Sequence, residues 1–484
     1  MNEPLGRALG ALRNNPQVRN ISLLAGGTAF SQALLLLATP VITRIYSPEW
    51  FGVLAVYTSL VQIINSFNSG SYELAVPLPE EERDARVLVR MVLGLILATA
   101  MVAPIVVGWI ARRGLIVFPG SWPWLHLALP IGILGIGGLQ VETYWLIRRK
   151  AFRVTATAKI LQTLATIILQ VGLGLLCPGA LPLVLGLVGA QALALVYMHA
   201  KGRLGRFEFN VGGFWGLAKR YHKFPKYNML AGFIGSLGIF LGPMVLARSF
   251  SPAVAGNYSL ALRVLYFPIT LLGQAISQVW FAEWVALRND PEASRGKLEM
   301  GIGILLAISI PSFLILILHG PFLFSLLFGT KWVGAGQIAR VLAVWFIFLF
   351  VSSPLSPLMV VHERLGLQLG LSTAETILRL GALYAGIRMG SATAAICGLA
   401  LAGTLISIIY IGVLLHLSGS GFLRLWKHVW RQVLAGLTVL LAGVGIAQIP
   451  ANATILRCLS LAMGFAFLAW SLVGSLRASR LIRA

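Results

Sequence analysis

Apolar runs long enough to cross a bilayer recur about fourteen times in this chain, and Lys and Arg crowd into every second gap between them. A hydrocarbon core about 30 Å thick takes roughly 20 residues of helix. Inside it every backbone N–H and C=O must be paired within the protein, which leaves helices or closed barrels. A barrel would show short strands of alternating polarity, and these runs do not alternate. An all-α polytopic membrane protein is therefore expected. A net charge of +23 would suggest nucleic acid in a soluble protein. On a chain that is 58% hydrophobic, with basic residues in alternate gaps, it reports topology instead, because cytoplasmic loops retain Lys and Arg. No nucleic-acid partner is implied.

Spans are expected at 21–43, 50–70, 87–111, 122–146, 155–176 and 180–199. After a basic stretch come 226–247, 253–281, 299–319, 334–360, 366–387 and 391–416, then 430–449 and 453–473. This divides the chain into an N-terminal six-helix bundle (1–200), a basic cytoplasmic linker (201–225), a C-terminal six-helix bundle (226–417) and two additional helices with a basic tail (418–484). An even number of spans keeps the basic loops on one face, so both termini are expected in the cytoplasm. The run from Ile21 is too long for the core of a signal peptide. Trp50, Trp122, Trp124, Trp280 and Trp284 sit near span ends, as interfacial aromatic belts do. Cys177, Cys397 and Cys458 lack metal-ligand spacing, and no Gly-x-x-x-x-Gly-Lys-Ser/Thr loop is present, so neither metal nor cofactor is expected.

A short motif repeats. Arg44-Ile-Tyr-Ser47-Pro48 followed by Gly52 reappears as Arg248-Ser-Phe-Ser251-Pro252 followed by Gly256, at one constant offset. Both copies fall between the first two spans of their half, in a loop assigned to the outer face. Such a repeat makes the two bundles parallel, related by a pseudo-twofold along the membrane normal, an arrangement that recurs in secondary transporters.

Several helices carry polar stripes: Thr28, Gln32, Thr39 and Thr43; Thr58, Gln62, Ser66, Ser69 and Glu73; Lys159, Gln162, Thr166 and Gln170. The eighth span carries Ser259, Arg263, Tyr266, Thr270, Gln274 and Ser277, and the eleventh Gln368, Ser372, Glu375 and Arg379. Hydroxyls of this kind are expected to hydrogen-bond neighbouring helices. A charge deep in a span costs at least about 2.5–3.5 kcal/mol, so it faces a partner or a wet cavity. Arg263 is accordingly assigned to a cavity that meets an anion. Arg379 has Glu375 one turn earlier as a local ion-pair partner. Arg44 and Arg248, at helix ends, either cap carbonyls or meet substrate. Glu73, Glu142 and Glu375 are candidates for ion or proton coupling, with pairing to basic neighbours as the alternative. Pro40, Pro104, Pro130, Pro268, Pro311, Pro354 and Pro357 mark expected kinks.

Leu24-Ala-Gly-Gly-Thr-Ala-Phe-Ser-Gln32, Pro40-Val-Ile-Thr-Arg44-Ile-Tyr-Ser-Pro48-Glu-Trp-Phe-Gly52 and Ser71-Tyr-Glu-Leu-Ala-Val-Pro-Leu-Pro79 together resemble the opening of the oligosaccharide flippase family. That family belongs to the multidrug/oligosaccharidyl-lipid/polysaccharide exporter superfamily. The resemblance implies two bundles in alternating access around a cationic cavity in the bacterial inner membrane. The implied substrate is an undecaprenyl diphosphate-linked oligosaccharide moved to the periplasmic leaflet for lipopolysaccharide or exopolysaccharide synthesis. Implied partners are this polyprenyl diphosphate-linked glycan, membrane lipid, and a polymerase with other glycan-assembly proteins. The family's cavity arginines would meet the diphosphate, a role that suits Arg263, and Arg379, Arg44, Arg248, Gln62, Tyr266 and Gln274 are the further candidates for substrate binding. No enzymatic activity is implied. The competing readings are an ion-coupled multidrug antiporter, which should carry acids in its cavity, a polysaccharide polymerase or ligase, which should carry a large outer loop, and a passive assembly scaffold.

Overall fold

The computed structural model describes residues 16–113, 124–202, 214–287, 290–447 and residue 467. Helices α1 (Pro16–Ile45), α2 (Pro48–Asn68), α3 (Glu82–Arg112), α4 (Trp124–Arg148), α5 (Phe152–Leu176) and α6 (Ala180–Gly202) realise the first six expected spans. A short α7 (Phe214–Arg220) precedes a π turn at Phe224–Met229 and α8 (Leu230–Ser249). Then come α9 (Pro252–Pro268), α10 (Gln274–Ala286), α11 (Pro291–Phe328), α12 (Val333–Leu355), α13 (Pro357–Val361), α14 (Leu365–Arg388), α15 (Ala392–Leu417) and α16 (Phe422–Ala447). Among the described residues there is no strand. The span expected at 453–473 lies, Phe467 apart, outside the described residues.

Ten of these helical segments are long and apolar enough to cross a membrane. Their outward residues are what a lipid-facing surface requires: Leu37 is 76% exposed and Leu176 80%. Helix ends run past the expected spans, most in α11, whose 38 residues replace an expected 299–319. Asp290 caps it by accepting from the Ala293 N–H at 3.0 Å, and Pro291 occupies its first turn. The polar turns that follow are good helix formers, and they continue the helix where hydropathy has already fallen away.

The eighth span is not one helix. Pro268 lacks the N–H that would continue the ladder, and Ile269–Gly273 form a π turn before α10 resumes. The Thr270 hydroxyl donates to the Phe267 carbonyl at 3.0 Å beside the break. The polar stripe from Ser259 to Ser277 is therefore interrupted, and Gln274 lies beyond the break from Arg263 and Tyr266. The tenth span breaks in the same way between α12 and α13, with Pro354 before the break and Pro357 after it. Gly273 and Pro354 lie close enough that a Cβ on Gly273 would sit 3.5 Å from the proline ring.

The chain gathers into two compact units, Met1–Gly256 and Asn257–Ala484. In the first, α1, α5 and α6 pack together, α4 lies against α3 and α6, and α8 lies against α2. In the second, α12 packs between α11 and α15, α14 lies on α15, and α16 on α11. The repeated motif has the same local structure in both copies. Ser47 and Ser251 accept from the N–H three residues on, of Trp50 and Val254, at 3.5 and 3.3 Å, each with a proline at the first helical position. The two copies also meet inside the first unit. A Cβ on Gly52 would overlap the Pro252 carbonyl, and one on Gly256 would overlap the Pro48 carbonyl. The contact is reciprocal, as a twofold relation between the motifs requires.

Gly52→Ala and Gly256→Ala should each lower the melting temperature in detergent, through about 1–3 kcal/mol of overpacking. Gly26→Ala, whose Cβ would meet nothing within 4 Å, should leave it unchanged. Because both contacts belong to one interface, the double variant should lose less than the sum of the two; full additivity would show that the contacts are independent.

Candidate functional site

In the second unit the buried charge gathers on α9, α12 and α14. The Arg379 side chain is 8% exposed, and its guanidinium lies 4.3 Å over the Trp345 ring. It faces Glu375, one turn earlier, at 3.4 Å, hydrogen-bonds the Tyr266 side chain and lies within electrostatic reach of Tyr258. A desolvated cation on an indole face gains up to about 2 kcal/mol. The Arg379 Nε nevertheless has no hydrogen-bond partner. Tyr266 in turn packs edge-on to Phe346 at 4.8 Å. Trp345 is held from behind by α15, where a Cβ on Gly403 would strike the indole nitrogen's side of the ring. Arg263, half-buried, precedes Tyr266 by three residues and so shares its face of α9. The expectation of a local Glu375–Arg379 pair is met, but the pair is one contact among four. Two arginines and one glutamate leave this cluster with an excess positive charge.

The first unit gathers carboxylates instead. Gly70 and Ser71, both at positive φ, turn the chain out of α2 so that Glu73 folds inward, 3% exposed. A chain of amides converges on it. Asn68 donates to Asn65 at 3.0 Å, Asn65 to Gln140 at 2.9 Å, and Gln140 to the Glu73 Oε1 at 2.8 Å. The Glu73 Oε2 has no partner. Burial pushes the Glu73 carboxyl above the usual carboxylate range, and the Ser69 hydrogen bond opposes that only in part. Further along α4, Glu142 is 6% exposed and bonds the His199 Nδ1 at 2.8 Å. Basic residues clamp the same end of the unit. Arg148 donates to the carbonyls of Pro77, Pro79 and Glu80, and Arg149 and Trp145 both donate to that of Gly202. Lys159, at the head of the fifth-span stripe, lies within α5 and donates to Thr28 of α1 at 2.8 Å.

Other expected residues stand apart. Arg44 and Arg248 are exposed in the last turns of α1 and α8, where a cation complements the helix dipole. Gln62 is half-buried on α2, one turn before Asn65 and Ser66. The Gln274 side chain lies outside the described residues. Most hydroxyls in the polar stripes do not reach neighbouring helices. Thr39, Thr58 and Thr166 each donate to the carbonyl four residues back in their own helix, as Thr163 beside the stripe also does. Trp284, expected at the interface, is only 1% exposed. Asn65, Gln140, Tyr258 and Trp345 carried no signal in the sequence, since amides and aromatics at helical spacing look like ordinary packing. Among the described residues no group of His, Cys, Asp and Glu could hold a metal ion.

Comparison with known proteins follows the same lines. The chain is 24% identical over 214 residues to the Lipopolysaccharide biosynthesis protein WzxC of Escherichia coli (strain K12), covering 44% of each chain. It is 24% identical over 313 residues to the Succinoglycan biosynthesis transport protein ExoT of Rhizobium meliloti (strain 1021), covering 64% of this chain and 62% of that one. It thus matches less than two thirds of the length of either relative. In fold it is similar to the lipid II flippase MurJ in an inward closed conformation, with a TM-score of 0.73 at 15% identity, over 95% of this chain and 99% of that one. An inward-facing MATE family multidrug resistance transporter gives 0.61 at 13% identity, over 82% and 98%. The model of the family described as "Polysaccharide biosynthesis protein" matches residues 41–337, more than half of the sequence. This multi-pass membrane protein belongs to that family and has the fold of the multidrug/oligosaccharidyl-lipid/polysaccharide exporters.

Proposed function

We propose that the chain is an alternating-access flippase that carries an undecaprenyl diphosphate-linked oligosaccharide from the cytoplasmic to the periplasmic leaflet of a bacterial inner membrane, with both termini cytoplasmic. The observation that carries this reading is the buried cationic cluster of the second unit. Arg379, braced by Trp345, Tyr266 and Glu375, shares that neighbourhood with Arg263 through Tyr266. A cation is expensive among membrane helices and is retained where it meets an anion. Guanidinium suits a diphosphate because its planar fork bonds two oxygens at once. The relatives' names, a lipopolysaccharide biosynthesis protein and a succinoglycan transport protein, support a glycan as the attached group.

Arg263→Ala and Arg379→Ala should abolish translocation of a polyprenyl diphosphate-sugar in reconstituted vesicles while the protein still inserts. Arg263→Lys should recover only part of the rate, since it keeps charge but not the bidentate fork. Unchanged translocation in Arg263→Ala would overturn the assignment of that residue.

The buried carboxylates of the first unit favour a second reading, an ion-coupled multidrug antiporter. Within the flippase reading, Glu73 serves instead as the proton-binding group. Its raised pKa means that the neutral acid is the form the fold prefers. The stability it contributes is present below the ordinary carboxylate range and is lost as pH rises through the raised value. Glu73→Gln keeps the acceptor for Gln140 and removes the titration. Relative to this variant, the wild type should lose melting temperature as pH rises from the ordinary carboxylate range through the raised value. The variant should also lose any stimulation of translocation by a proton gradient. Efflux of organic cations that depends on Glu73, with no movement of lipid-linked glycan, would favour the antiporter.

A further inference from the structure

Two spans flank α7, one ending at Gly202 and the other beginning at Phe224, so this short helix and the turn after it lie at one face of the membrane. The segment is docked on the first unit. Leu217 and Tyr221, one turn apart, are 7% and 9% exposed. Helix α7 packs on α3, and the Tyr72 hydroxyl donates to the Ala218 carbonyl at 3.3 Å. The π turn at Phe224–Met229 lies against the short turn of helix at Tyr72–Ala75. Nothing in the proposed translocation chemistry uses this segment.

Its outward side carries charge of one sign. Lys219, Arg220, Lys223 and Lys226 are exposed, and so is His222. Among the described residues none of these four cations makes an ion pair. Arg220 and Lys226 lie instead 5.6 and 5.3 Å from the rings of Tyr221 and Tyr227 beside them in sequence. The sequence has no acid between Glu208 and Glu283. Other acids at this end of the unit open α3, where Arg86 holds Glu82 at 2.6 Å with Arg148 and Arg149 in electrostatic reach. Large aromatic side chains flank the cations. Trp215 is 79% exposed and Tyr227 59%.

This combination selects the partner. Tryptophan and tyrosine settle at headgroup depth, where the ring is among apolar groups and its polar tip is wet. Lysine and arginine stems run along apolar surface and present their charge to phosphate. A soluble anion would meet the charges and leave both rings in water. A neutral lipid would cover the rings and leave the charges without counter-charge. An anionic phospholipid satisfies both. Orientation by loop charge requires neither the docking of the segment nor the rings beside its cations.

We propose that α7 and the turn after it form a binding surface for anionic phospholipid headgroups, which holds the segment joining the first six spans to the rest of the chain at the membrane surface. The proposal stands apart from the flippase reading, since it concerns lipid of the bilayer and not the cargo. The test places a spin label on Gly216→Cys, where a side chain would meet nothing within 4 Å, in a full-length chain with Cys177, Cys397 and Cys458 replaced by alanine. Short-chain phosphatidylglycerol added to this protein in neutral-detergent micelles should immobilise the label saturably, and short-chain phosphatidylcholine should not. Each basic residue at an anionic surface is worth about fivefold in affinity, so Lys219→Gln with Lys223→Gln should raise the apparent Kd at least about fivefold. Lys219→Arg with Lys223→Arg should restore it. Lys150→Gln with Arg153→Gln removes two exposed charges elsewhere at the same end and should leave it unchanged. These substitutions fall on exposed side chains, so the fold survives them. No saturable response, an equal response to phosphatidylcholine, the same immobilisation by inorganic phosphate, or equal weakening by the Lys150 and Arg153 pair would overturn the proposal.

Discussion

The reciprocal approach of two glycines to two proline carbonyls is the contact on which the first unit's geometry depends. Between lipid-facing helices there is no hydrophobic force to drive association, because lipid tails are as apolar as leucine. What remains is close backbone approach, and that needs a residue without a Cβ. Gly52 and Gly256 provide it at matching positions of two serine-capped, proline-initiated helices. The same device recurs where Gly320 and Gly336 bring α11 and α12 together, and where Gly386 meets the Ala395 backbone between α14 and α15. At these contacts glycine is the structural adhesive, used for close approach rather than for flexibility.

The two units handle buried charge by opposite means. In the second, a guanidinium is spread over an indole face, a phenol and a carboxylate, so no single partner neutralises it. In the first, a carboxylate receives one amide hydrogen bond at the end of a chain of amides and keeps its other oxygen bare. The first arrangement preserves a charge in place. The second favours a group that stays neutral until its surroundings change.

Much of this architecture was legible because bilayer thickness fixes span length. Hydropathy located the helices, and the Ser-Pro motif announced an internal repeat whose two copies prove to share both capping and contact. What escaped was set by tertiary geometry. Pro268 suggested a kink, but nothing in the sequence says that a π turn would separate Gln274 from the helix that carries Arg263. Trp284 has the spacing of an interfacial tryptophan, and only the packing of α10 shows it buried. Glu73 and Arg379 were visible as misplaced charges. Their partners Gln140 and Trp345 were not, because they come from distant helices and look ordinary by themselves. The hydroxyl stripes invited a reading as interhelical bonds, yet a threonine satisfied by its own helix leaves the same sequence pattern.

That last feature has a mechanical meaning. When Thr39, Thr58, Thr163 and Thr166 spend their hydrogens on their own backbones, the surfaces between helices are left without directional bonds at those points. At those points one helix moves against the next without breaking a hydrogen bond, whereas the Lys159–Thr28 bond pins α5 to α1. The hydroxyls also soften their own helices, since each bond back to a carbonyl four residues earlier loosens the ladder there. A polar stripe of this kind works as a bearing surface, slippery along its length and slightly pliant within.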